Sequence, residues 1–352
     1  MRPLGLPGSA ASRLLPVVLA LGVALLLLKL AGAPPLEAMR LLVEGSVGSS
    51  AKVSDTLAAW VPLALVSAGL VITFAAGLWN IGVEGQIVAG AIAATWVARE
   101  VPGPAPLLVA LTLVAGVVGG ALWALLAGVL RTRGRVNEIF GGLGLDFVAS
   151  GLAIFLIIGP WKRKGIASTS GTELFRPETW LPTVGPSRLP ALAIGLAVAA
   201  VILVFLLMRG TLFGLRLKAV GRNARSAHLM GIPTERYTLS AFALCGALAG
   251  LAGTIQATGV FHKLVPAVSG GYGFLGILVV LLAGFRASWI APIALFFAAI
   301  AVGSTQLSLR LDLDSSLAGV LQGVLVLFVI LAGGWRVRRS RARAGSAPQE
   351  EA

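Results

Sequence analysis

The sequence predicts an all-α polytopic membrane protein with about ten transmembrane helices, one of them short and broken. Three observations carry that expectation. Hydrophobic residues make up 57% of the 352 residues, charged residues only 12%, and the mean hydropathy is +0.93, far from the composition of a soluble domain. The apolar residues fall in continuous runs, whereas a transmembrane β-barrel would alternate apolar and polar positions. Several runs reach the roughly 20 residues that a helix needs to cross a bilayer.

The first span, 14–31, is a long apolar run with no small-x-small cleavage site before Pro34-Pro35, so it reads as a retained helix instead of a removed signal. Spans 57–77 and 83–98 flank a glycine-punctuated polar turn. Spans 107–130 and 139–158 are joined by Arg131, Arg133 and Arg135, and Gly116, Gly119, Gly120 and Gly128 in the former predict close helix packing. Spans 189–208 and 238–260 enclose a basic stretch, 209–237. The next, 273–285, is too short for a straightforward crossing and is expected to be broken or tilted. Spans 288–307 and 317–334 complete the set, making 1–335 one membrane domain. The tail 336–352 (RVRRSRARAGSAPQEEA from Arg336) lacks apolar periodicity and is expected to be disordered and basic.

The formal net charge of +14 does not point to nucleic acid, because the basic residues border the apolar spans. They are explained by the excess of Lys and Arg in cytoplasmic loops. With the N-terminus inside, the basic residues of 131–135, 209–237 and the tail, with Arg2, Arg13 and Arg286, share one side. Glu37, Glu44, Asp55, Glu100, Glu173, Glu178, Asp312 and Asp314 fall on the other. Both termini are therefore expected in the cytoplasm. The exception is Lys162, Arg163 and Lys164, which sit in the longest outer loop, 159–188, where charge counts for less. The single Cys245 lies in a span and reads as a small core residue, so no intrachain disulfide is possible.

Polar residues at membrane depth are costly and so mark candidate sites. Asn80, Glu84 and Gln86 lie among glycines where two spans meet; a polar cytoplasmic turn explains them as well as an unwound, cavity-lining segment. Asn137 and Glu138 suit a helix start. Asp146 lies two turns further in, about 80° around the helix from Glu138, and must be paired, protonated or facing water. Ser269–Gly276 is glycine-rich and opens the short span, either as a ligand-contacting helix start or as a flexible re-entrant turn. Neither histidine has metal-ligand spacing, and His262 reads as an interfacial side chain. None of the six lysines precedes Ser or Thr, so the chain cannot form a Walker A phosphate loop. If transport is ATP-driven, another polypeptide supplies the ATPase.

The strings GLWNIGVEGQ (77–86), RVNEI (135–139), AVGRNARSAHLMGI (219–232) and GYGFLGILVVLLAG (271–284) occur in that order. Together they resemble permease subunits of ATP-binding-cassette importers in the branched-chain amino acid and simple-sugar group, closest to the nucleoside, basic-membrane-lipoprotein-dependent branch. The resemblance covers about residues 14–335. It implies a permease that is not itself an enzyme, in the bacterial or archaeal cell membrane. It further implies an inverted repeat of the second to fifth and seventh to tenth helices, a dimer of identical or related permeases, cytoplasmic ATPases that hold ATP and Mg, and an extracytoplasmic substrate-binding lipoprotein. This chain itself would bind no cofactor and no metal. By the same resemblance 209–237 is the ATPase-coupling loop, with Gly221, Asn223, Ala227 and Gly231 at motif positions and Arg216 among the arginines that set orientation. Asn80, Glu84, Gln86, Asn137, Glu138 and Asp146 are the expected substrate-pathway contacts. The sequence departs from relatives at Asp146, where Asn is expected, and at Gly141-Gly142, which replace hydroxyl side chains. An ion- or proton-coupled secondary transporter using Asp146 and Glu84 as a relay is the competing expectation.

Overall fold

The structure, a computed structural model, describes residues 34–163, 169–183 and 190–311, with isolated positions in 22–32 and 319–331. The expected first span, most of the tenth and the 336–352 tail lie outside the described residues. Among those described, every regular element is helical.

The chain divides into two units, 49–299 and 1–48 with 300–352. In the larger unit, α2 (Ser50–Ala75), α3 (Val83–Glu100), α4 (Ala105–Thr132), α5 (Glu138–Ile158) and α6 (Ala191–Gly210) follow one another. The short helices α7 (Leu212–Arg222) and α8 (Ala224–Leu229) come next. Then come α9 (Thr234–Ile255), continued by a π turn at Gln256–Val260, and α10 (Tyr272–Leu282). Among the described residues, six helical stretches are long and apolar enough to cross a membrane: α2, α4, α5, α6, α9 with its π turn, and Ala287–Leu311. The expected short span appears as α10, only 11 residues and so about 16 Å long at the α-helical rise.

Helix α3 is more polar than these six, and its position explains why. It is buried along most of its length against α4, α9 and α5, so few of its residues need to suit lipid. The centre of the unit is α9, with Phe242, Cys245, Ala249 and Ala252 fully buried. It meets α4 through glycines: a Cβ on Gly120 would fall 2.6 Å from the Gly250 Cα, and one on Gly250 would fall 2.9 Å from the Gly120 Cα. Gly116 lies against the same stretch, Gly119 against Ala93 of α3, and Gly128 against Phe242. Small residues thus bring the helix backbones into direct contact. Helix α5 turns Gly142, Asp146, Ala149, Ala153 and Ile157 inward at three- and four-residue spacing and leaves Phe140, Phe147 and Phe155 exposed, an apolar outer face compatible with lipid.

The smaller unit contains α1 (Pro35–Val47), a 13-residue helix that a search for membrane-length runs passes over. Pro at its start is preorganised for a first turn. Ala38, Leu41 and Leu42 cluster with Leu307, and Gly303 lies against the Leu42 backbone. The partner is the second half of α11 (Ile290–Leu311).

Candidate translocation site and docking loop

Helix α2 ends at Gly77, whose φ of 75° is the left-handed conformation glycine adopts without strain. The chain then turns through Leu78–Ile81 into α3. Two amides lock that turn. Asn80 Nδ2 donates to Gln86 Oε1 at 3.1 Å, and Gln86 Nε2 donates to Asn80 Oδ1 at 2.9 Å. Asn80 Nδ2 also donates to Cys245 Sγ at 3.1 Å, tying the turn to α9. Both amides are buried, and the pair satisfies the polar atoms that burial would otherwise penalise.

Glu84, also buried, accepts a hydrogen bond from the Gly273 N–H at 3.0 Å, which joins the start of α3 to the start of α10. Asp146 of α5 lies beside the same turn of α3, against Gly85, the residue after Glu84. Asp146 is 9% exposed, and no hydrogen bond or ion pair holds its carboxylate among the described residues. The helices touch here: a Cβ on Gly85 would lie 2.9 Å from the Asp146 Cα, and one on Gly82 would lie 2.7 Å from the Gly142 Cα. Gly142 is therefore a contact residue of the α3–α5 seam, where a hydroxyl side chain has no room. Gly141 has space around it, with only Val136 Cγ1 within 4 Å of where a Cβ would be.

The remaining expected pathway residues sit at the start of α5, about two turns before Asp146. Asn137 caps the helix, its Oδ1 accepting from Ile139 N at 2.8 Å. Glu138 pairs with Arg131 Nε at 2.9 Å, across the short α4–α5 connection. Both carry the roles that helix-start chemistry assigns them. Among the described residues no three His, Cys, Asp or Glu side chains come together as a metal site requires.

The 209–237 stretch folds as the two short helices α7 and α8. Thr211 caps the first through Gly214 N at 3.1 Å, and Asn223 caps the second through Ser226 N at 3.0 Å. Ala227 is buried and Gly221 lies against the end of α2: a Cβ there would fall 2.8 Å from the Gly77 nitrogen. Gly221 therefore fastens the loop to the end of α2, and neither small residue faces outward. Arg216 is exposed, its guanidinium 3.4 Å from the Tyr237 hydroxyl, and Leu229 and Met230 are 80% and 82% exposed. Gly231 has a φ of 79° and open space around it, so its smallness serves the backbone turn after α8. Behind the loop, Gly77, Arg131, Gly221, Asn223 and Glu235 line a cavity of about 400 Å³.

Residues 53–330 match the family described as branched-chain amino acid transport system / permease component. The chain belongs to that family. The permease is 33% identical to the glucose ABC transporter permease protein TsgB13 of Haloferax volcanii, over 88% of this chain and 83% of that protein. It is 28% identical to the guanosine ABC transporter permease protein NupP of Bacillus subtilis, over 90% and 91% of the two chains. It is 27% identical to the nucleoside ABC transporter permease protein NupB of Lactococcus lactis, over 72% and 71%. It is thus a multi-pass membrane permease subunit of an ATP-driven importer and not itself an enzyme, and its family implies ATPase and substrate-binding partners.

The permease also contains a folded-back loop that its sequence did not announce. Residues 170–183 fold over the ends of α3 and α9. Phe175 N donates to His262 O at 2.8 Å and Thr172 N to Leu264 O at 2.9 Å. The Arg176 guanidinium takes the carbonyls of Ala98 and Val101 at the end of α3. Trp180 stacks on His262 with ring centroids 4.0 Å apart. The signal available in the sequence was the pair of aromatics Phe175 and Trp180 in a loop otherwise polar enough to be solvated.

Proposed function

We propose that this permease imports a nucleoside or a similar polar small solute, delivered by an extracytoplasmic binding lipoprotein and released to the cytoplasm when partner ATPases bind ATP and Mg. Two of the three relatives above carry nucleoside or guanosine in their names, and the third carries glucose. In this reading the permease pairs with a second copy or a paralogue. It spans the membrane about ten times as an inverted repeat, with both termini in the cytoplasm on the strength of its loop charges.

In this reading Asn80, Glu84, Gln86 and Asp146 belong to the wall of the solute's path, which opens where α3 and α5 touch at Gly82, Gly85 and Gly142, with Asn137 and Glu138 at its end nearer the docking loop. The observation that carries this reading is Asp146, a carboxylate at the α3–α5 contact with no hydrogen-bond or ion-pair partner among the described residues, in a family of permeases. A carboxylate held in a nonpolar setting accepts strongly from hydroxyl or amino hydrogens, which sugars and nucleosides both present. Arg216, Gly221, Asn223, Ala227 and Gly231 belong to the loop that the ATPase moves, Gly221 as its inner attachment.

Asp146→Ala is expected to lower guanosine uptake by about tenfold or more, the worth of one hydrogen bond to a charged group, while the ATPase still co-purifies with the permease. Uptake into proteoliposomes containing the complete transporter measures it, with glucose as the competing solute. Wild-type rates in Asp146→Ala would sink the pathway assignment, and uptake of glucose alone would sink the nucleoside one.

A further inference from the structure

The short helix α10 begins within the larger unit, where the Tyr272 N–H is taken by Ser269 O at 3.0 Å and the buried Gly273 N–H needs an acceptor of its own. The helix has no cap of its own. Its N-cap is Gly271, in a left-handed conformation (φ 74°) and without a side chain to offer, and Gly270 before it is also left-handed (φ 58°). Helix α3 starts in the same way, with Gly82 as an N-cap that makes no side-chain bond. Glu84 sits in the first turn of α3 and reaches the first turn of α10. One carboxylate thus lies at the positive ends of two uncapped helices.

The fit around it is close. A Cβ on Gly273 would lie 2.8 Å from Glu84 Oε2 and 2.9 Å from Val83 Cγ1, and one on Gly271 would lie 3.9 Å from Glu84 Oε1. Further along α10, Gly276 lies against Val66, Leu70 and Ser67 of α2. The helix therefore packs against α2 along its length and is tied at its start by Glu84, with Tyr272 hydrogen-bonded to Gln256 beside that tie. Of the two carboxylates on the seam, Glu84 is committed to this tie and Asp146 is not.

We propose that Glu84 is a positioning residue: it fastens the start of α10 to α3, and the solute meets Asp146 instead. The proposal rests on the permease reading but not on the identity of the solute. The test uses the complete transporter in lipid nanodiscs and proteoliposomes, with Glu84→Gln, Glu84→Ala and Gly273→Ala. The first readout is amide hydrogen exchange over 269–276, which needs no solute. Glu84→Ala and Gly273→Ala are expected to speed exchange there about tenfold, whereas Glu84→Gln, whose amide oxygen accepts the same bond, is expected to stay within about twofold of wild type. The second readout is uptake of guanosine and of glucose. Maximal rate is expected to fall with exchange protection, about tenfold for Glu84→Ala and less than twofold for Glu84→Gln, with apparent KM and the preference between the two solutes unchanged.

Unchanged exchange in Glu84→Ala overturns the proposal. So does a Glu84→Gln variant with normal exchange but altered KM or altered solute preference, since the charge would then be contacting the solute. If Glu84→Ala does not assemble, Glu84→Gln and Gly273→Ala carry the same comparison. A wild-type transporter that takes up neither solute overturns the nucleoside reading and leaves the exchange result standing.

Discussion

Gly250→Leu is expected to abolish accumulation of folded permease. Gly250 sits where α9 crosses α4 and α3, with the backbones of Gly116 and Gly120 on one side and Gly90 on the other. A Cβ would lie 2.9 Å from the Gly120 Cα and 3.0 Å from the Gly116 carbonyl carbon. Both are main-chain atoms, so no rotamer change relieves the clash and two helices must separate. Extra carbons in a packed core cost about 1–3 kcal/mol even where side chains can adjust. Here the lost contacts also include direct packing between the helix backbones, for which the bilayer offers no hydrophobic substitute. Size-exclusion chromatography of detergent extracts is expected to show aggregate in place of a monodisperse peak. Gly151→Leu is the matched control, because nothing lies within 4 Å of a Cβ at that position on α5. It is expected to behave as wild type. A monodisperse Gly250→Leu protein would show that the α4–α9 contact is not what holds the domain together.

What the sequence revealed, and what it hid, follows from the range of the interactions involved. The six membrane-length helices among the described residues were legible because each is specified by its own composition. Asn137 as a helix cap was legible because its partner is two residues away. Helix α1 was missed because 13 residues cannot match a membrane-length search, and its burial depends on α11, far along the chain. The polar cluster was legible in part. Asn80, Glu84 and Gln86 stand out by cost alone, but their partners are set by tertiary contacts. Asn80 and Gln86 pair across a turn and consume each other's hydrogen bonds, while the partner of Glu84 lies 189 residues away. Glycines gave the least directional information. Gly142 looked like a replacement for a hydroxyl side chain and Gly221 like a motif residue of the coupling loop. Both turn out to be places where two backbones touch, and a residue without a side chain carries no periodic signal of which way it faces.

That inward direction of Gly221 yields the second large effect. Gly221→Val is expected to leave the ATPase bound and yet stop transport. A Cβ at 221 would sit 2.8 Å from the Ala76 carbonyl carbon and 2.8 Å from the Gly77 nitrogen, so α7 must lift away from the end of α2. The outward face of the loop, including Arg225, Leu229 and Met230, is exposed and untouched by that shift, which preserves the surface an ATPase can grip. What is lost is the rigid contact through which a displaced loop pushes on Gly77, and through it on the Asn80–Gln86 turn at the start of α3. Interfaces transmit motion when packed atoms leave no slack. Solute uptake is expected to fall at least tenfold, a barrier change of about 1.4 kcal/mol or more, while the ATPase still co-purifies. Its hydrolysis rate should no longer respond to the solute-loaded binding protein. Loss of the ATPase from Gly221→Val would instead make this contact part of docking itself. Uptake at the wild-type rate would mean that force enters the membrane helices elsewhere, with the Arg133–Glu235 pair, 3.2 Å apart between α9 and the α4–α5 connection, as the next contact to cut.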